Sequence, residues 1–274
     1  MPRPLGLHQL TAMDVGPLEL IEIAASCGYN HVSLFTNAPV VPIAGQEGKF
    51  TFPTVTPATK REVLARLAAH GLSVVNAEFF LMRPDVDLET CRSGLALARE
   101  LGAKNAMTHI FEADSARAAD ILGRFCAIAA EEDMRVSIEF CQMTPGCKTI
   151  HAARCMVDAV RAANLGFGIC PMHLVRSGGT AADIAGLDPG ILFYGQLNDG
   201  HGRHVSEAYF EEVHDRELPG EGNFPLADIL RALPESVPIE VKCPSDSRMK
   251  GVVTALDWAR RGFERSRRLL DNLV

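Results

Sequence analysis

Val136-Ser137-Ile138-Glu139 and Pro238-Ile239-Glu240-Val241 are two short β-forming runs, roughly a hundred residues apart, and each leads to a glutamate. In a closed barrel of parallel strands all the C-terminal strand ends point to one mouth, so both carboxylates would stand on the catalytic face. Two converging carboxylates can hold a divalent metal and can also move a proton. Outward from these runs the chain alternates. Candidate strands near 5–10, 31–36, 72–78, 104–109, 135–140, 166–170, 191–197 and 237–242 are separated by amphipathic helical stretches. Leu20, Ile23, Ala24 and Cys27 fall on one helical face, as do Ile121, Leu122 and Phe125, and then Ala152, Cys155, Met156 and Ala159. Parallel neighbours need crossover helices, so eight such units spell an α/β fold, a single (β/α)8 TIM barrel over residues 1–274.

The joints agree with this. Cys27-Gly28-Tyr29, His70-Gly71-Leu72 and Leu101-Gly102-Ala103 each put a glycine where a helix needs a left-handed cap before the next strand. The long connections, about 37–56 (with Pro39, Pro42, Gly45, Gly48 and Pro53) and about 198–224, follow strands two and seven, on the face that carries catalysis in such barrels. An open doubly wound sheet is the structural alternative, but the first strand-to-helix turn, Thr11-Ala12-Met13-Asp14, lacks the glycine-rich dinucleotide fingerprint.

With 274 residues, 47% of them hydrophobic, and a mean hydropathy of +0.07, the chain can bury a sizeable core, and no apolar run reaches membrane-spanning length. Met1-Pro2-Arg3-Pro4 leads into Leu5-Gly6-Leu7 without a signal-peptide pattern, so the expected compartment is the cytoplasm. A net charge of −7 with three Tyr and one Trp supplies neither the basic footprint nor the stacking platform of a nucleic-acid binder. The expected partner is a small-molecule substrate, with neither nucleic acid nor membrane; self-association into a homo-oligomer stays open. None of the eight cysteines forms a C-x-x-C pair, and Cys27, Cys91, Cys126 and Cys155 lie in apolar helical patterns, as reduced core cysteines do.

Alternation turns Ser137 and Glu139, Gly168 and Cys170, Tyr194 and Gln196, and Pro238, Glu240 and Lys242 towards the barrel interior. A buried Glu139 needs a cation or a proton, and an ion pair with an Arg or Lys such as Lys242 competes with a metal for that part. Glu139, Cys170-Pro171-Met172-His173-Leu174-Val175-Arg176-Ser177-Gly178, Gln196-Leu197-Asn198-Asp199, Arg216-Glu217-Leu218-Pro219-Gly220-Glu221-Gly222 and Glu240 resemble, across essentially the whole chain, the xylose isomerase-like barrel superfamily. That group contains sugar phosphate isomerases and epimerases, hydroxypyruvate isomerase, sugar-acid dehydratases and the endonuclease IV type. The resemblance specifies fold far better than substrate. It implies a divalent metal, manganese or magnesium first and zinc as an alternative, on Glu139, Cys170, Gln196 and Glu240. It also implies substrate contacts from His173 and Arg216, while His109 closes strand four, where it could orient a ligand oxygen.

Cys170 departs from the family's aspartate. Three readings compete: a thiolate ligand favouring zinc, a bystander that leaves His173 or water to complete the shell, and the mark of a lost metal. Lys242 also departs, because the last glutamate of the family usually has apolar or neutral surroundings. Glu78 is a candidate polar cavity residue. Phe79-Phe80-Leu81-Met82 after strand three either walls the pocket or packs its loop, with packing favoured. His201-Gly202-Arg203-His204 and His214 read as solvated loop histidines.

The expected activity is a metal-dependent isomerase, epimerase or related dehydratase. It would remove a proton next to the carbonyl of a small hydroxy-carbonyl, sugar-like or keto-acid compound, with Glu139 and Glu240 as the exchangeable proton carriers. The rival is a metal-free, non-catalytic barrel that binds a small ligand. An endonuclease IV activity is opposed by the acidic charge and by that group's histidine-rich three-metal cluster.

Overall fold

A computed structural model describes residues 3–38, 53–202, 209–251 and 253–273. Its strands are β1 (Leu5–His8), β2 (His31–Phe35), β3 (Ser73–Met82), β4 (Asn105–Ile110), β5 (Arg135–Ile138), β6 (Leu165–Ile169), β7 (Leu192–Leu197) and β8 (Ile239–Val241), paired in sequence order into a closed barrel. Every neighbouring pair is parallel, and β8 returns to β1 with Gly6 beside Glu240, while Gln196 of β7 lies on the other side of Glu240. The expected glycine caps are present: Gly28, Gly71 and Gly102 have φ of 89°, 64° and 87°. No described helix is long and apolar enough to cross a membrane.

Alternation divides the apolar residues into two sets. Leu5, Leu7, Val32, Leu34, Val136 and Ile138 join Leu20, Ile21, Leu95, Leu122 and Phe125 in the core between barrel and helices. Each fully buried side chain of this kind contributes about 1.5–3 kcal/mol. Phe35, Phe79, Leu81, Met107 and Tyr194 belong to a smaller, separate cluster. Gly168 makes room for it: a Cβ there would stand 2.2 Å from Cζ of the Tyr194 ring.

One strand is longer than its sequence suggests. Phe79–Met82 continue β3 instead of forming a loop, after a register shift between Ala77 and Phe80. The run has no turn residue to stop it, and the extended backbone lets Phe80 and Met82 join the outer core while Phe79 and Leu81 face a cavity. Pro39, Pro42, Gly45, Gly48, Arg203 and His204 lie outside the described residues.

Candidate active site

Asn198 and Asp199, just past β7, tie the motif blocks together. The Asn198 Oδ1 accepts the Met172 N–H at 3.0 Å, and its amide nitrogen donates to Cys170 Sγ at 3.4 Å. The buried Asp199 carboxylate accepts the backbone N–H groups of Gly220 at 2.9 Å and Phe224 at 3.0 Å, and also that of its neighbour Gly200 at 2.9 Å. Residue 170 is thereby fixed at the barrel mouth, and the segment carrying Arg216 is folded back over it. Arg216 donates from Nε to the Val213 carbonyl at 2.9 Å and from its guanidinium to Cys170 Sγ at 3.3 Å.

Glu139 follows β5 by one residue and extends the ladder through its N–H to the Thr108 carbonyl at 3.0 Å. Both of its carboxylate oxygens accept from Lys242 Nζ, at 2.7 and 3.0 Å, and His173 Nε2 stands 3.1 Å from Oε1. All three side chains are buried. Burial works to raise the Glu139 carboxyl, but the Lys242 ammonium and His173 outweigh it and hold the group well below the ordinary range. Lys242 is raised in turn: burial opposes its charge, and the charge of Glu139 outweighs that. His173 Nδ1 meets the Tyr209 hydroxyl at 2.7 Å, and Cys141 Sγ lies 3.5 Å from the same hydroxyl. Against the effect of burial, Cys170 and Tyr209 raise His173 well above an ordinary imidazole. His173 and Arg216 in turn bring the buried Cys170 thiol down to about 6.

A second polar group surrounds Glu240. Its carboxylate accepts from the Ser33 hydroxyl, from Gln196 Nε2 at 3.0 Å and from Asn76 Nδ2 at 3.2 Å. Burial raises it, against the nearby His8. Beside it His8 Nδ1 accepts the Leu10 N–H at 3.0 Å, which leaves the ring proton on Nε2, 3.2 Å from Glu78 Oε1. Burial depresses His8 to about 3, so the contact joins a neutral imidazole to the carboxyl. Glu78 itself is fully buried, and beyond the His8 contact, which is not aligned as a hydrogen bond, neither of its oxygens accepts a hydrogen bond from the described residues. Burial lifts it to about 8.

A cavity of about 80 Å³ is lined by Glu78, Glu139, His109, His173, Arg216 and Lys242 on its polar side and by Phe79, Leu81, Met107, Phe111 and Phe210 on its apolar side. His109 Nδ1 contacts the Glu139 carbonyl oxygen at 2.7 Å, and burial lowers it to about 4. Of the residues expected from sequence, Glu139, His173, Arg216 and His109 meet at this cavity; Cys170, Gln196 and Glu240 are buried and do not line it. His201 is exposed, whereas His214 lines the cavity, so its reading as a solvated loop histidine does not hold. The place of Tyr209 against His173 and that of Glu78 against His8 had no sequence signal. Both depend on contacts between distant strands and loops.

Two described groups have ligand atoms mutually within 4.8 Å, the spacing of a metal site: Glu139 with Cys170 and His173, and Glu240 with His8 and Glu78. The four donors implied by resemblance are thus divided between them, with Gln196 turning its amide nitrogen to Glu240. Glu139 already has an ammonium on both oxygens and Cys170 has a guanidinium, so this set does not fit a hard ion such as manganese or magnesium. By donor type Glu139, Cys170 and His173 suit a softer ion such as zinc once Lys242 is displaced.

A search of curated proteins gives no significant match. Among solved structures the chain is similar to a xylose isomerase domain protein from Alicyclobacillus acidocaldarius, with 19% identity, 99% of both chains covered and a TM-score of 0.77. It is similar to the IolI protein with a bound zinc atom at 16% identity, covering 100% of this chain and 99% of that one, with a TM-score of 0.81. The probable 3-DHS dehydratase AsbF from Bacillus anthracis matches at 14% identity over 95% and 97% of the two chains, with a TM-score of 0.74. These likenesses carry the barrel. The family itself follows from a sequence model described as xylose isomerase-like TIM barrel, which matches residues 21–266: the chain belongs to that family.

Proposed function

We propose that this protein is an isomerase, epimerase or related lyase that moves a proton at the carbon beside the carbonyl of a small hydroxy-carbonyl compound, sugar-like or a keto acid. The observation that carries the reading is Glu78, a buried carboxyl beside the neutral His8 ring, lifted to about 8, on the wall of the cavity that Lys242 and Arg216 also line. A carboxyl poised near neutral pH both accepts and returns a proton, whereas Glu139, held ionised by Lys242 and His173, is a poor base. Glu240 borders Glu78 through His8 and serves as the neighbouring proton store. The cations of Lys242 and Arg216 stabilise the negative charge that develops on the carbonyl oxygen when the carbon loses its proton. Apolar Phe79, Leu81 and Met107 keep that charge away from water, and the cavity volume suits a compound of few heavy atoms.

Similarity to the AsbF dehydratase and to a D-allulose 3-epimerase from Methylomonas sp. supports this reaction class. A zinc-type ion on Glu139, Cys170 and His173 is the second reading, favoured by the low Cys170 thiol and by the zinc atom of the IolI structure. The test is solvent deuterium uptake, read by mass spectrometry, into hydroxypyruvate, ketohexoses and 3-dehydroshikimate. We expect uptake into at least one of them, reduced about 100-fold or more in Glu78→Gln and less in Glu240→Gln, with the fold kept. No uptake into any compound by the native chain would favour the ligand-binding rival; full uptake in folded Glu78→Gln would remove Glu78 from the proton path.

A further inference from the structure

We infer that Lys242 is the resident cation of this site: its ammonium holds Glu139 in the place a divalent ion would take, and the chain keeps its site assembled without metal. The inference rests on geometry at three of the four donors that family resemblance assigns to an ion. Glu139 has Lys242 Nζ on both oxygens, at 2.7 and 3.0 Å. Cys170 Sγ has N–H groups of Arg216 and Asn198 on it, at 3.3 and 3.4 Å. The Glu240 carboxylate has the donors of Ser33, Asn76 and Gln196 on it. At these three donors the lone pairs that would face an ion are therefore already engaged by protein hydrogens, while the fourth, Gln196 Oε1, has no hydrogen-bond partner among the described residues.

The exchange is consistent in charge. A divalent ion between carboxylates is replaced by a single ammonium, and the position where resemblance expects an aspartate carries a thiol. Exchanging a hard oxygen donor for a soft sulfur and gaining one fixed cation each make the site less hospitable to a hard ion of charge two. Lys242 also has the reach and the rigidity for the task. It is 2% exposed, its backbone N–H is bonded to the Leu197 carbonyl at 2.9 Å, and its side chain lines the cavity. Glu139 accepts from the ammonium through both oxygens, leaving a third N–H for a ligand oxygen, the polarising contact a metal would otherwise make.

The experiment needs no substrate, so failure of the proposed reaction leaves it unaffected. Native protein purified without chelator is assayed for metal by mass spectrometry, melted with and without EDTA, and titrated calorimetrically with zinc chloride and manganese chloride. The expected result is substoichiometric metal, no change in melting temperature with EDTA, and no stoichiometric binding of either ion. In Lys242→Met, zinc should bind about tenfold or more tighter than to the native chain and raise the melting temperature, because the buried carboxylate is left without its partner. Lys242→Arg, which keeps the charge, should remain metal-free. One equivalent of ion in the native chain together with an EDTA-sensitive melting temperature would overturn the inference, as would a folded Lys242→Met with no gain in zinc affinity. If Lys242→Met folds only with zinc in the medium, one cation has replaced the other as expected; if it folds in neither medium, the native-chain measurements decide.

Discussion

A thiol at position 170 changes what its neighbours can do. With Cys170 brought to about 6 between His173 and Arg216, the site carries a soft anion beside two hydrogen-bonding cations. Cys170→Asp would restore a hard oxygen donor, but Lys242 would still hold Glu139. Manganese binding by Cys170→Asp alone should therefore rise only slightly, and the Lys242→Met/Cys170→Asp double variant should bind manganese about tenfold or more tighter than either single variant. Calorimetric titration of the four proteins checks this, and equal affinities in the single and double variants would contradict it. Much at this scale was legible beforehand. Strand alternation pointed Glu139, Cys170, Gln196, Glu240 and Lys242 inward, and Lys242 stood as a rival cation for Glu139. The pairing itself spans 103 residues and depends on how far an ammonium reaches across the barrel, which no local pattern encodes.

Among the elements, the segment after β7 organises the others. Asp199 accepts three backbone N–H groups from two turns of the Arg216–Phe224 segment and its own neighbour, all in a buried position. Asp199→Ala would leave these donors without an acceptor and should lower stability by about 3 kcal/mol, read from the urea midpoint. A loss under about 0.5 kcal/mol would mean that the segment finds other acceptors. The eight strands were readable because helix periodicity alternated with short apolar runs, and because glycine caps marked the helix ends. The continuation of β3 to Met82 was not readable, since an apolar run without a turn residue reads equally as strand or as packed loop. The clamp by Asn198 and Asp199 was visible only as a motif, without its partners, because hydrogen bonds to backbone leave no trace in side-chain pattern.

For the molecule as a whole, a polar barrel interior sets the response to acid. His31 is buried in β2, and burial lowers it to about 4 from an ordinary 6.5. The unfolded chain binds that proton first, so the contribution of neutral His31 is intact above pH 6.5 and is lost as pH falls towards about 4. Between pH 7 and pH 5 this one group should cost about 2 kcal/mol of stability. His8 and His109, depressed by burial to about 3 and about 4, act in the same direction. Urea unfolding at the two pH values should show a smaller drop for His31→Leu than for the native chain, and identical drops would contradict the assignment. The pairing of β8 with β1 has a further consequence, for assembly in time. Glu240 is held by side chains from β2, β3 and β7, and Glu139 takes its cation from just past β8, so these charges have no local shelter while the chain is still collapsing. They can be withdrawn from water together only when the ring shuts, so the last strand in sequence completes the site. A polypeptide that ended before Ile239 would keep most of its apolar core residues and yet lack the carboxylate and the ammonium around which its interior is built.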